Sequence, residues 1–89
     1  MSQIIFIDTR EPFEFTAGHV PGALNIPPSE IAAGEPAELR ELPRDAEIVV
    51  YCRSGMRAAT AIRYLSRMGF TNLANGINEG RVRQKYLVK

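Results

Sequence analysis

The sequence has no tryptophan, and only one cysteine and one histidine among its 89 residues. A single cysteine cannot close an internal disulfide, and its presence fits a reducing compartment. No charge of either sign dominates. Eleven basic and ten acidic side chains leave a net charge of +1, which gives no general pull toward nucleic acid or a membrane surface. No apolar run approaches the ~20 residues of a membrane span. The opening "MSQIIFIDTR" lacks a basic leader and turns acidic after four apolar residues, so it does not read as a secretory signal. Cytoplasm is the expectation. There is no internal repeat, low-complexity tract or linker. The length predicts one domain over 1–89, with one modest core burying roughly 60–65% of the unfolded surface.

Two short runs are apolar at every position. "IIFI", Ile4 to Ile7, ends in Asp8, and "IVVY", Ile48 to Tyr51, ends in Cys52. Such runs suit parallel strands covered on both faces. Between them, Glu11-Pro12 opens a short helix with proline in its first turn. Gly18 ends that helix, and Pro21-Gly22 marks a turn. "ALNI" reads as a short strand stopped by Pro27-Pro28. "PAELREL", Pro36 to Leu42, reads as a helical turn or two closed by Pro43. From Met56 to Met68 the period is helical: Ala58, Ala61, Ile62, Leu65 and Met68 form one apolar stripe, and Gly69 follows as a natural stop. "TNLAN" is a last short strand. "INEGRVRQKYLVK" is a weak final helix, interrupted at Gly80. Strands alternating with helices predict an α/β domain on a mainly parallel sheet of four or five strands, with helices on both faces in three layers.

Ligands in such sheets bind at the carboxyl ends of the strands. Asp8 and Cys52 both stand there. After Cys52 comes "RSGM", in which Gly55 lets the backbone curl so that its N–H groups can form a nest for an anion. The helix that follows adds its own free N–H groups and the positive end of its dipole. A lone cysteine after an apolar run is often only a small buried hydrophobe. Arg-Ser-Gly is poor company for that role. Helix N-termini and arginines lower a thiol's pKa, so the context points to a reactive thiolate.

"VVYCRSGMRA" resembles the active-site loop of the rhodanese family, the single-domain thiosulfate sulfurtransferases. The N-terminal half agrees independently. "DTREPFEFTAGHVPGALNIP" is similar to the family's other signature, with Asp8, Arg10, Glu14, Phe15, Gly18, His19, Val20, Gly22, Ala23 and Pro27 at unbroken spacing. With "MGFTNLANG", the similarity covers roughly residues 4 to 76. The resemblance implies a rhodanese-like sandwich in which Cys52 is the nucleophile that takes a sulfane sulfur and becomes a persulfide. Backbone N–H groups of Arg53, Ser54, Gly55, Met56, Arg57 and Ala58 would hold the terminal sulfur. Arg53 and Arg57 would attract anionic donors, and Asp8, Arg10 and Glu14 would support the loop without reacting. No cofactor or metal is implied. The partners implied are a small anionic sulfur donor such as thiosulfate, and a thiol acceptor such as thioredoxin, glutathione or a sulfur-carrier protein.

Two other classes stay open on sequence. One is a rhodanese-like module used for protein binding alone; the presence of Cys52 in a basic loop argues against it. The other is a cysteine-dependent phosphatase or arsenate reductase. The related phosphatases resemble a loop one residue longer than the six residues from Cys52 to Arg57. The related mercaptopyruvate enzymes carry a less basic loop, so a preference for thiosulfate is expected. His19 invites a general-base reading, but in "GHVPGA" it is expected to bond backbone around a turn. Phe13 and Phe15 read as core or rim. Arg81, Arg83, Lys85 and Lys89 read as a solvated face able to dock an acidic partner. The family's terminal Gly-Gly and tryptophan are absent here, where single glycines stand at 76 and 80.

Overall fold

The computed structural model describes residues 3–87. Its central strands are β1, Ile5–Asp8, and β3, Ile48–Cys52, which form on the two apolar runs. They pair in parallel from Ile5 opposite Ile48 to Asp8 opposite Tyr51. Every residue of β3 is buried, as a strand covered on both faces requires. The two-residue β2, Leu24–Asn25, flanks β1, and β4, Leu73–Asn78, flanks β3. All pairings are parallel, in the order β2-β1-β3-β4.

Side-chain alternation divides the core in two. Ile7, Ile48, Val50 and Cys52 face α2 (Pro28–Ala33), a 3-10 turn (Ala37–Leu39) and α3 (Met56–Arg67) through Ile31, Leu39, Ala58, Ala61 and Leu65. Val49 and Tyr51 face the other way, onto Val20, Ala23, Phe15 and Val82. That second layer contains α1, Pro12–Ala17, and α4, Glu79–Val82, the latter continuing as a wider π-type turn over Arg83–Leu87. Among the described residues, three layers are therefore present around a parallel sheet of four strands. Among the described residues, no helix is long and apolar enough to cross a membrane.

Three boundaries differ from the sequence reading. Pro27-Pro28 does stop β2, but it also starts α2, with proline in the first turn. A proline there lacks only an N–H that the helix leaves unbonded anyway, and one buried residue, Ile31, anchors the helix. Strand β4 runs on to Asn78 rather than ending at Asn75. Gly80 does not interrupt the last helix. Asn78 caps α4 by accepting the Arg81 N–H at 2.8 Å, and Val82 is fully buried. Arg81, Arg83 and Lys85 are exposed; Lys89 lies outside the described residues.

Candidate functional site

Chain order places β1 and β3 side by side while their crossovers lead to opposite edges of the sheet. That reversal opens a crevice at their carboxyl ends, and Cys52 closes β3 there. Gly55 follows in the left-handed region, with φ 93° and ψ −7°, as the N-cap of α3. Only a residue without a β-carbon takes that conformation at little cost. The turn folds the chain back over the sulfur, so Cys52 is recessed, 2% exposed. The Gly55 N–H donates to Cys52 Sγ at 3.0 Å.

Two effects act on the thiol. Burial pushes its pKa up. Backbone N–H groups of Ala58, Ser54, Gly55 and Arg57 push it down and prevail, leaving it below the ordinary cysteine value. An anion bonded by amides at a helix N-terminus has this behaviour. The cysteine packs with the core and sits under the tip of α3, where its sulfur accepts the Gly55 N–H. Of the loop amides, Gly55 is the one that donates to the sulfur among the described residues.

The flanking charges are unequal. Glu14, from α1, accepts from Arg57 Nη1 at 2.8 Å and from Nη2 at 3.4 Å. It also accepts the Glu11 N–H at 2.8 Å. Arg53 Nη1 reaches the same carboxylate at 3.6 Å, and its side chain is 73% exposed. Hydrogen bonds from Arg57, then from the Glu11 backbone, hold the Glu14 carboxyl down at about 2. The bond to Glu14 in turn raises Arg57. Arg57 is thus clamped by two hydrogen bonds, whereas Arg53 makes one longer contact to the same carboxylate and stays mostly exposed.

Asp8 and Arg10 lie on the other face of the sheet. Asp8 is fully buried. It accepts from Arg10 Nε at 3.0 and 3.1 Å, from Nη2 at 2.7 Å, and from the Arg10 backbone N–H at 2.9 Å. Arg10 Nη2 also donates to Gly18 O at 2.6 Å, which ties the end of α1 to β1. Asp8 and Arg10 thus form a largely buried ion pair. It holds the helix that carries Glu14, rather than touching the cysteine loop. His19 bonds Phe15 O through Nδ1 at 2.8 Å and stacks on the Phe15 ring, with centroids 3.6 Å apart; it serves the turn. Phe13 is 75% exposed and Met56 76% exposed, so Phe13 belongs to the rim and not the core. A cavity of about 380 Å³ lies at the opposite end of the sheet, lined by residues such as Ile5, Pro43 and Asn72.

The sequence reading missed Asn75. Strands β3 and β4 slip register between Val50 and Tyr51, which pair with Asn75 and Ile77. Gly76 forms the resulting bulge, with no space around it: a β-carbon there would meet Val82 Cγ2 at 2.5 Å. Ile77 is left at φ 74°, a left-handed conformation that costs an L-residue about 1–2 kcal/mol. Asn75 spans the bulge, accepting the Ile77 N–H and donating to Gly55 O, each at 2.9 Å. The Asn-Gly pair in "LANGI" was the available signal for a local backbone irregularity.

A recessed cysteine, its sulfur bonded by a backbone amide between a parallel strand and a helix N-terminus, marks the carboxyl-end crevice of this α/β domain. The chain belongs to the rhodanese-like domain family, whose pattern it matches over residues 1–81. It is 36% identical over 72 residues to a sulfurtransferase of Allochromatium vinosum, in an alignment covering 81% of this chain and 64% of that protein. The chain thus spans just under two thirds of that relative's length. Among solved structures, a rhodanese with anions from E. coli superposes with a TM-score of 0.77 at 30% identity, covering 89% of this chain and 91% of that one. A rhodanese-related protein from Thermoplasma volcanium gives 0.68 at 30% identity, covering 93% and 80%.

Proposed function

We propose that the protein is a sulfurtransferase that moves a sulfane sulfur from a small anionic donor, thiosulfate or a related persulfide, to a thiol or cyanide through a Cys52 persulfide. The observation that carries this reading is the Cys52 sulfur, recessed at the end of β3 under the N-terminus of α3 and accepting the Gly55 N–H at 3.0 Å. The Cys52 thiolate attacks the outer sulfur of thiosulfate. The sulfur–sulfur bond breaks, and sulfite leaves with the bonding pair. Cys52 then carries a terminal sulfur anion, which the amides stabilise in place of the original thiolate. A second nucleophile attacks that terminal sulfur and takes it away, and the Cys52 thiolate returns. Covalent transfer of this kind is ping-pong, and a thiol already lowered in pKa requires no neighbouring base.

The sulfurtransferase name of the Allochromatium relative supports the activity, and the anions of the E. coli rhodanese support an anionic donor. Arg53 is the arginine available to that donor, because Glu14 occupies Arg57. Thioredoxin, glutathione or a sulfur-carrier protein in the cytoplasm would serve as acceptor. Intact mass before and after thiosulfate should show the gain of one sulfur atom, and Cys52→Ser should abolish both that gain and thiocyanate production. Arg53→Ala should lower kcat/KM for thiosulfate about tenfold, the loss of one rim charge near a leaving dianion. It should narrow the preference over 3-mercaptopyruvate. A serine variant that makes thiocyanate at wild-type rates would rule the mechanism out.

A further inference from the structure

We infer that Asn75 is a positioning residue for the Cys52 cradle, holding the Gly55 turn in the shape that aims its amides at the sulfur. The inference concerns the site on which the proposed sulfur transfer rests, but it stands on geometry alone. Gly55 O accepts two bonds: the Ala59 N–H at 2.9 Å, which begins α3, and Asn75 Nδ2 at 2.9 Å. The first belongs to any helix. The second comes from an edge strand twenty residues away, and it fixes the peptide that links Gly55 to Met56. Gly55 has no side chain to hold its own left-handed conformation, and a glycine left alone samples several. Asn75 Nδ2 and Ile77 Cγ1 both stand 3.5 Å from the place where a Gly55 β-carbon would be, so the bulge abuts the turn directly.

The bulge explains why an asparagine suits this position. The register slip that Gly76 allows sets the Ile77 N–H where Asn75 Oδ1 can accept it. An asparagine bonding the backbone two residues ahead is a local turn that holds its own side chain still. Its NH2 group is then left directed at Gly55. Oxygen and nitrogen of the amide thus have separate tasks, one local and one across to the nest. Asn75 is exposed, so water competes for both groups, and the fixed rotamer is what maintains the second bond. The unfavourable φ of Ile77 is maintained in the same arrangement, as strained backbone beside a functional loop often is.

The test separates cradle from scaffold. Iodoacetamide alkylation of Cys52 is followed against pH, with thermal unfolding in parallel. Asn75→Ala should move the alkylation midpoint up by about half to one pH unit and slow alkylation at neutral pH about threefold to tenfold, in proportion to the thiolate lost. It should lower thiosulfate kcat/KM by a similar factor. Tyr51→Phe, which removes a hydrogen bond on the opposite face of the sheet, should lower Tm and leave the midpoint unmoved. If Asn75→Ala does not fold, Asn75→Asp replaces it: the carboxylate still accepts from Ile77 but cannot donate to Gly55. Measured at high salt to screen its charge, it should show the same upward midpoint. A midpoint at the wild-type value in the folded variant would overturn the inference, whatever happens to Tm. Because alkylation requires no sulfur donor, that outcome is distinct from failure of the sulfurtransferase reading.

Discussion

Replacing Tyr51 by phenylalanine deletes one oxygen from the centre of the sheet. Tyr51 is fully buried, and its hydroxyl accepts the Val20 N–H at 3.0 Å. Val20 is fully buried too, so in the variant its N–H faces a ring edge and has no partner. An orphaned buried donor costs about 1–3 kcal/mol. In a domain of this size each kcal/mol moves Tm by about 4–8 °C, which sets the expected fall at roughly 4–24 °C at pH 7. Activity should be spared, since the Tyr51 side chain lies on the face of the sheet opposite Cys52. Alkaline pH should then reverse the comparison. Burial pushes the Tyr51 phenol up from the ordinary 10.0 to about 12; the Val20 N–H opposes that rise and the neighbouring Asp8 adds to it. The unfolded chain ionises first. Native wild type therefore keeps its full stability below pH 10 and loses about 2–3 kcal/mol as the pH climbs to 12. The phenylalanine variant has no such loss. Urea unfolding at pH 7 and across pH 10–12 should show the two stabilities converging or crossing, while the Val20 amide exchanges faster in the variant at neutral pH. Equal stabilities at pH 7 with an unchanged Val20 exchange rate would refute the reasoning.

Gly76→Ala should cost about 1–3 kcal/mol by overpacking, because its β-carbon meets Val82 Cγ2 at 2.5 Å and Val49 Cγ1 at 3.0 Å; chemical denaturation checks it. Glu14→Gln should be less stable than wild type at pH 7, with a gap that closes in acid. The Glu14 carboxyl is held at about 2, so wild type loses that contribution as the pH falls from the ordinary carboxyl value toward 2. Acid titrations of both proteins should show the steeper slope in wild type only. Gly55→Ala, strained at φ 93°, should raise the alkylation midpoint of Cys52 by disturbing its closest amide donor; a midpoint that stays put would assign the lowered thiol to the other amides.

The sheet and the cysteine loop were legible because each rests on a local rule. Runs apolar at every position name strands covered on both faces, and Ile5–Asp8 and Ile48–Cys52 form those strands. The stripe through Ala58, Ala61 and Leu65 names the buried face of α3. Helix α2 was not legible as a helix. Six residues opened by a proline pair carry too short a period, and the single anchor Ile31 has meaning only once α3 is there to receive it. The site followed the same division. Cys52 and its turn are contiguous in the chain. The Glu14–Arg57 clamp joins residues 43 positions apart and the Asn75–Gly55 bond residues 20 apart. Glu14 was named in advance only because the family resemblance carried it, and that resemblance gave it no partner. Asn75 had no such help: its role depends on a register slip that no residue pattern reports.

The two outermost strands also bear on how this protein behaves in a crowded solution. A parallel sheet of four strands leaves two rows of backbone groups able to recruit another chain, a route to aggregation that folded proteins must block. One margin is β2, just two residues long and followed, after Ile26, by Pro27 and Pro28. It is too short to template a neighbour, and prolines donate nothing to a ladder. The other margin is β4, whose run is broken at Gly76 and turned aside at Ile77. A bent margin presents no straight row of donors and acceptors to a second strand. The irregularity that reaches the cysteine turn on one side therefore also guards against self-association on the other, and straightening it would put solubility at risk together with the thiol.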